Sequence, residues 1–203
     1  NPRIGRITGM VPGIWENGTA YCHANSFKLV ADCMIGRGDL AYRTLGRLLP
    51  DNASNPSTHS GCEPYVLTNQ VLGPENRRAG QSLWAWMTGA SGWVYRAVTE
   101  WMIGVRADYD GLIIDPRLPA AWKQVALSRT FRGCRYDVTI DNAADSCEGS
   151  MEVQLDGRPL DRPKIPILSE GGRHRVNVRL GSAADRLDPA ALSGSSDLTA
   201  EQA

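Results

Sequence analysis

The chain has 203 residues, of which 42% are hydrophobic and 22% charged, and these are ordinary proportions for a globular protein. Its 22 basic residues balance 22 acidic ones, which argues against a nucleic acid or an anionic membrane surface as the partner. No apolar run approaches the roughly 20 residues that are needed to span a bilayer.

Residues 1–104 are predicted to form helices that are joined by glycine-rich connectors. The first helix runs over 26–35 from a cap at Ser26, and the second starts at a cap on Asp39. The third covers about 82–103, although glycines interrupt its beginning, so that part can be a loop that leads into the helix. The predicted apolar stripe of the first helix is Phe27, Val30, Ala31 and Met34.

Residues 105–181 are predicted to form a small antiparallel β-sandwich. Apolar and polar side chains alternate over 125–131, 134–140, 151–155 and 176–180. The remaining residues, 182–203, are small and polar, and a disordered tail is expected there. The predicted fold class is therefore α+β.

Three clusters in the helical part carry polar side chains without a helical period, which is typical of functional loops. The first spans 13–25 and includes Glu16 and His23; the alternative is a capped turn with a hydrogen-bonded histidine. The second spans 63–70, and the alternative is a surface loop. The third spans 84–93, where small residues ahead of a helix leave backbone N–H groups free to face an anion. A close helix–helix contact is the alternative there.

The five cysteines contain no CxxC pair, so neither a zinc site nor a disulfide framework is indicated. They are Cys22, Cys33, Cys62, Cys134 and Cys147. Scattered thiols favour the reducing cytoplasm as the location. The first residues show neither an initiator Met nor a signal peptide, and we expect the chain to be cut from a longer protein.

Five sequence stretches resemble the inverting disaccharide phosphorylases of glycoside hydrolase family 94, which are glycosyltransferase 36-like. They are PGIWENGTAYCHAN, CMIGRGDLAYR, EPYVLTNQ, WAWMTGASGWVYRAVTEWMIGVRADYDGLIIDP and LPAAW followed by RTFRGCRYDV. The resemblance covers roughly residues 5–142, and the stretches keep the family's order. The family includes cellobiose, chitobiose and cellobionic acid phosphorylases, and the chain resembles its C-terminal part.

The resemblance implies that 1–104 are the last helices of an (α/α)6-barrel catalytic domain and that 105–181 are the C-terminal β-domain. It also implies a reaction in which phosphate attacks the anomeric carbon of a β-linked disaccharide with inversion. Phosphate is already an anionic nucleophile, so the site needs one acid and a phosphate cradle rather than two carboxylates.

The site residues follow from the same resemblance. His23, Thr88 and Gly89 match the phosphate-binding residues, Glu16 matches a sugar-binding residue, and Gln70 matches a residue near the donor sugar. The family's general acid is an aspartate in a Trp-Asn-Asp stretch, and nothing in this chain matches it. The chain by itself is therefore expected to be inactive, with the catalytic acid upstream.

The implied substrates are phosphate and a disaccharide such as cellobiose or cellobionic acid, whose carboxylate Arg77 or Arg78 could bind. No metal, organic cofactor or nucleic acid is implied, and the complete enzyme is expected to be a homodimer. Two alternatives stay open. One is a phosphorylase-like domain of a cyclic β-glucan synthase, and the other is a non-catalytic carbohydrate-binding or dimerisation remnant.

Overall fold

The computed structural model describes residues 5–143, 151–168 and 171–181 of the chain. The predicted tail, 182–203, and Cys147 lie outside these residues. Helices dominate the first part of the chain and strands the second, which confirms the α+β class. In the described part, no helix is both long and apolar enough to cross a membrane.

The first part contains a 3-10 helix, four α-helices and a small antiparallel sheet. The helices are Gly5–Gly9 (3-10), α1 (Cys22–Met34), α2 (Gly38–Leu48), α3 (Ser57–Ser60) and α4 (Ala90–Arg96), which continues as a π-helix over Ala97–Met102. The sheet has the order β1 (Ala20–Tyr21), β2 (Gln70–Val71) and β3 (Ser82–Leu83). The sheet joins segments that are far apart in the sequence, since Ala20 pairs with Val71 and Gln70 pairs with Leu83.

Helix α1 begins earlier and buries another face than the sequence predicted. The helix starts at Cys22, and its cap position is Tyr21, so the predicted cap at Ser26 is wrong. Its buried side chains are Cys22, Ser26, Leu29, Asp32 and Cys33. Phe27 and Met34, from the predicted stripe, are exposed. The earlier start places His23 in the first turn of the helix, beside the small sheet.

Helix α2 packs against α1 and against the second part of the chain. The predicted cap at Asp39 is wrong, because Asp39 lies inside the first turn and its carboxylate accepts the Ala120 N–H at 2.9 Å. The buried Asp32 accepts hydrogen bonds from Lys28 Nζ at 2.6 Å and Thr44 Oγ1 at 2.8 Å. Since both donors satisfy Asp32, its burial between the two helices is not left uncompensated.

Helix α4 starts at Ala90, eight residues later than the beginning of the predicted helix. Ser82–Leu83 is a strand, and the glycine-rich segment after it is a loop, as its composition indicated. The helical stripe that begins at Ala90 is buried, at Ala90, Val94, Ala97 and Met102. Trp86 and Met87 precede it and are exposed.

The second part is a two-sheet structure around one core. Its strands are β4 (Val105–Asp108), β5 (Gly111–Ile114), β6 (Gln124–Phe131), β7 (Cys134–Asp141), β8 (Met151–Leu155), β9 (Arg158–Pro159), β10 (Lys164–Pro166) and β11 (Arg173–Leu180). The sheets have the orders β10–β5–β4 and β6–β7–β11–β8–β9. Leu112 and Ile114 of the first sheet pack with Val138, Ile140 and Val176 of the second.

The four predicted strands are confirmed, but the sheet that holds them is not purely antiparallel. Strand β11 inserts between β7 and β8, and it pairs parallel to β7 and antiparallel to β8. The chain passes through β8, β9 and β10 before β11, and this crossover allows the parallel pairing. Strands β4, β5, β9 and β10 were not predicted, because such short segments show little alternation.

Gly104 joins the π-helix to β4 at a point where a side chain does not fit. Its φ is +78°, and a Cβ there would overlap the carbonyl oxygen of Asp115. The substitution Gly104→Ala should lower the free energy of unfolding by at least about 1 kcal/mol, since an L residue is strained at this φ. Thermal unfolding followed by circular dichroism measures the change.

The matched control is Gly46→Ala in α2, where a Cβ meets nothing within 4 Å. Alanine is the better helix former by roughly 1 kcal/mol, so this control should raise the unfolding temperature. Equal unfolding temperatures for the two variants would contradict the account of Gly104.

Asp137 on β7 links three strands and should make the stability pH-dependent. It accepts hydrogen bonds from Ser128 at 2.5 Å, from Arg173 and from Arg135 at 3.2 Å. The bonds from Ser128 and Arg173 hold the pKa of Asp137 far below its ordinary value. The pKa of Asp137 is thus lower in the folded protein than in the unfolded chain, where it is about 4. The ionised carboxylate stabilises the folded protein at pH values above about 4, and this stabilisation is lost as the pH falls toward the folded pKa.

We therefore expect Asp137→Asn to be less stable than the wild type at pH 7. The difference should shrink as the pH falls from about 5 to about 2, because the unfolded carboxylate becomes protonated in that range. Urea denaturation at several pH values tests this, and a difference that does not vary with pH would refute it.

Candidate active site

The small sheet of the first part brings the three polar clusters together. Tyr21 pairs with Gln70, and Gln70 pairs with Leu83. The contacts continue beyond the strands, because Cys22 N–H donates to Asn69 O at 2.9 Å and Asn69 N–H donates to Trp84 O at 3.2 Å. Each cluster thus contributes one strand or strand end to the same surface.

His23 lies in the first turn of α1, surrounded by aromatic rings. Its ring centroid is 5.1 Å from that of Phe27, 6.0 Å from Trp93 and 6.4 Å from Tyr21. The Nε2 atom is buried and has no hydrogen-bond partner within the described residues. A buried polar atom without a partner costs free energy, so this nitrogen is suited to a ligand atom.

Thr88 and Gly89 lie directly before α4, and Gly89 lies near the His23 ring. A Cβ on Gly89 would lie only 3.7 Å from His23 Cε1. Thr88 Oγ1 accepts the Ala90 N–H at 3.0 Å, which leaves the hydroxyl proton available for an anion. The structure therefore brings His23, Thr88 and Gly89 together, in an arrangement that offers donors to an oxyanion.

Glu16 lies on a loop that borders an open pocket of about 520 Å³. Its carboxylate Oε1 accepts a hydrogen bond from Arg6 Nη2 at 2.7 Å, and both side chains are exposed. Its own backbone N–H and the Arg6 guanidinium lower the pKa of Glu16. The pocket is lined by Arg6, Trp15, Glu16, Gly18, Thr19 and Tyr21.

Gln70 is fully buried and holds the Glu16 loop in place. Its Oε1 accepts the Trp15 N–H at 3.1 Å. Its Nε2 is buried without a hydrogen-bond partner in the described part of the chain. Gln70 thus fixes the backbone next to Glu16, and its amide nitrogen stays unpaired among the described residues.

The predicted site residues form two neighbouring groups. His23, Thr88 and Gly89 form the first, and Glu16 and Gln70 form the second. Tyr21 connects them, because it lines the pocket of Glu16 and its ring lies near His23. Arg78 donates to Gln81 at 2.5 Å on the surface, which gives that arginine a structural partner.

Four aspartates that do not match the family's general acid have structural partners: Asp32, Asp39, Asp108 and Asp110. Asp32 and Asp39 are bound as described above. Lys164 Nζ forms ion pairs with Asp108 at 2.8 Å and with Asp110, and these contacts lower the pKa of both carboxyls. Among the described residues, no three His, Cys, Asp or Glu side chains are placed to hold a metal ion.

Sequence reasoning missed the backbone conformation of two tryptophans beside the site. Trp15 and Trp84 have φ values of 52° and 53°, and their ring centroids are 4.3 Å apart. Residue type gives no warning of this, since positive φ normally signals glycine or asparagine. The sequence shows only that one tryptophan lies in the first polar cluster and the other at the start of the third.

Two family models match the chain. The catalytic domain of the "Glycosyl hydrolase 94 superfamily" matches residues 1–104. The "Glycosyl hydrolase family 65, C-terminal domain" matches residues 105–161.

Curated relatives match most of the chain. It is 48% identical over 178 residues to solabiose phosphorylase of Paenibacillus borealis. It is 36% identical over 182 residues to 3-O-beta-D-glucopyranosyl-beta-D-glucuronide phosphorylase of the same organism. It is 33% identical over 181 residues to N,N'-diacetylchitobiose phosphorylase of Vibrio proteolyticus. These alignments cover 88–89% of this chain but 22–23% of the relatives, so the chain spans less than a quarter of their length.

The hydrogen bond from Ala90 to Thr88 predicts a stability effect at the start of α4. Thr88→Val keeps the shape of the side chain but removes the acceptor, and it should cost about 1 kcal/mol, the net contribution of one hydrogen bond. Thr88→Ser keeps the hydroxyl and should stay within about 0.5 kcal/mol of the wild type. Urea denaturation compares the three proteins, and a wild-type stability for Thr88→Val would rule out a contribution from this hydrogen bond.

Proposed function

Because the chain belongs to the glycosyl hydrolase 94 superfamily, we propose that its protein is a glycoside phosphorylase. The proposed reaction cleaves a β-linked disaccharide with inorganic phosphate, with inversion, and releases an α-sugar 1-phosphate. The observation that carries the proposal is the unpaired, buried Nε2 of His23, which lies beside Gly89 at the start of α4. The phosphorylases among its relatives support the same reaction.

The first group of site residues would bind the nucleophile. A phosphate between α1 and α4 would receive hydrogen bonds from His23 Nε2, from the Thr88 hydroxyl and from backbone N–H groups near Gly89. The start of α4 adds partial positive charge. These contacts would hold a phosphate oxygen in line with the anomeric carbon, and positioning of this kind is the main contribution that an anionic nucleophile requires.

The second group would bind the sugar. The Glu16 carboxylate can accept hydrogen bonds from sugar hydroxyls, and the unpaired Nε2 of Gln70 can donate one. The departing glycosidic oxygen needs a proton, and inversion follows from attack on the opposite side of the ring. We assign the proton to an aspartate outside these 203 residues, so the chain alone should not turn over substrate.

We rank the candidate disaccharides by the sequence identity of the relatives. Identity to the solabiose phosphorylase is 48%, against 33% for the diacetylchitobiose phosphorylase, so we place solabiose first. Cellobiose and cellobionic acid remain candidates from the sequence resemblance. The proposal further includes an (α/α)6 barrel completed by the rest of the protein, a cytoplasmic homodimer, and catalysis without metal or organic cofactor.

The test is phosphorolysis by the complete protein. The purified enzyme is incubated with phosphate and one disaccharide at a time, and sugar 1-phosphate is measured. The disaccharides are solabiose, cellobiose, cellobionic acid, diacetylchitobiose and the glucosyl-glucuronide. We expect product with one of them, and we expect His23→Ala to lower kcat/KM by about 100-fold, the scale of losing one oxyanion donor.

Two controls make the result specific. His59→Ala changes an exposed histidine whose ring nitrogen contacts Ala79 O, and it should keep wild-type kcat/KM. The 203-residue chain alone should release no product. Product from this chain would show that it contains its own acid. No product from the complete protein with any disaccharide would favour glucan-chain trimming or a non-catalytic role.

A further inference from the structure

Trp15 and Trp84 are held in a backbone conformation that bulky residues rarely adopt. Both φ values lie in the left-handed region, at 52° and 53°. Such residues persist where the surroundings over-determine them, and they cluster at ligand sites. At Trp15 a tight turn requires this conformation, because Ile14 and Asn17 on either side form a β-bridge and Asn17 N–H donates to Ile14 O at 3.0 Å. Glycine or asparagine would suit such a turn better, so the choice of tryptophan there needs a further reason, from packing or from a ligand.

Packing alone supplies little of that reason, because both rings remain open to solvent. Their centroids are 4.3 Å apart and the rings are tilted by 44°. Trp15 is 40% exposed and Trp84 is 39% exposed. One face of each ring is partly covered by the other, and the remaining apolar surface faces water, which is typical of a binding surface.

The backbone around both rings is fixed by hydrogen bonds that do not involve the indole side chains. Trp15 N–H donates to the buried Gln70, and Trp15 O accepts the Thr19 N–H at 3.3 Å. Trp84 O accepts the N–H groups of Asn69 at 3.2 Å and Met87 at 3.3 Å. The rings are thus presented by a rigid frame that would stay intact if either ring were removed.

Trp15 lines the 520 Å³ pocket together with Glu16 and Arg6, whereas Trp84 contacts Trp15 and does not line it. We propose that Trp15 stacks against a sugar ring of the disaccharide in this pocket and that Trp84 is a positioning residue, which sets the angle of the Trp15 ring. The proposal rests on the proposed function, since it names a sugar contact of that same site.

The chemistry of the pocket fits a sugar ring. A pyranose presents C–H groups on its faces and hydroxyls on its edge, so it matches an indole face together with polar neighbours. Here the indole of Trp15 is the flat surface, and Glu16 and Arg6 supply an acceptor and donors at its side. The proposed phosphate-binding residues His23, Thr88 and Gly89 do not line this pocket. Loss of the Trp15 ring should therefore not affect phosphate binding.

The test separates the two substrates in phosphorolysis by the complete protein. Trp15→Ala and Trp15→Gly should raise KM for the disaccharide by about tenfold, the loss of one aromatic contact, and leave KM for phosphate unchanged. Trp15→Phe keeps a flat ring and should stay within about threefold of the wild type. Trp84→Gly should raise the same KM by an intermediate factor.

The glycine variants distinguish a sugar contact from a structural role. Glycine accepts positive φ without strain, so Trp15→Gly removes the ring but relaxes the backbone. If the ring only supports the fold, Trp15→Gly and Trp15→Ala should lower the unfolding temperature and kcat while KM for the disaccharide stays constant. That pattern, or a rise in KM for phosphate instead, would overturn the inference.

Tyr109→Ala is the control, since Tyr109 is an aromatic residue that is 91% exposed in the second part of the chain. It should keep both KM values. A wild-type protein that cleaves no disaccharide would fail the proposed function itself. An active wild type with an unchanged disaccharide KM in Trp15→Ala would fail only the role of Trp15.

Discussion

The antiparallel sheet β1–β2–β3 is the constraint on which the candidate site depends. It consists of three two-residue strands. Strand β1 leads into α1, β2 begins at the end of the second polar cluster, and β3 precedes the loop before α4. Without these pairings, the three polar clusters would be separate loops. With them, His23 and Gly89 come close together, and the Gln70 side chain reaches the backbone of Trp15.

Close backbone packing makes the Glu16 loop rigid enough to support such a site. A Cβ on Gly13 would lie 2.7 Å from Asn76 Cβ, and a Cβ on Gly73 would overlap the carbonyl oxygen of Gly18. Gly73 N–H also donates to Gly13 O at 2.9 Å. The loop over residues 13–18 and the loop over residues 73–76 therefore approach as closely as their main chains allow. This contact holds the pocket wall at Glu16 in place.

The site divides its chemistry between two sets of side chains. Unpaired donors at His23 and the start of α4 suit an anion, whereas the indole of Trp15 with Glu16 suits a sugar. Tyr21 lies between the two sets. The proposed phosphorolysis requires this division, because the nucleophile and the sugar must be held separately and in line before the bond between them can form.

The sequence by itself determined the class of fold and four of the strands, since long alternating runs are local signals. It also indicated three polar clusters, because they lack a helical period. It did not determine where α1 and α4 begin or which face of α1 is buried. Phe27 has the period of a core residue but lies exposed beside His23, because tertiary contacts decide which of two apolar faces meets α2. Only the tertiary structure placed Trp15 on Trp84 and left the His23 nitrogen unpaired. Both depend on pairings between segments that are far apart in the chain, and no local pattern encodes them.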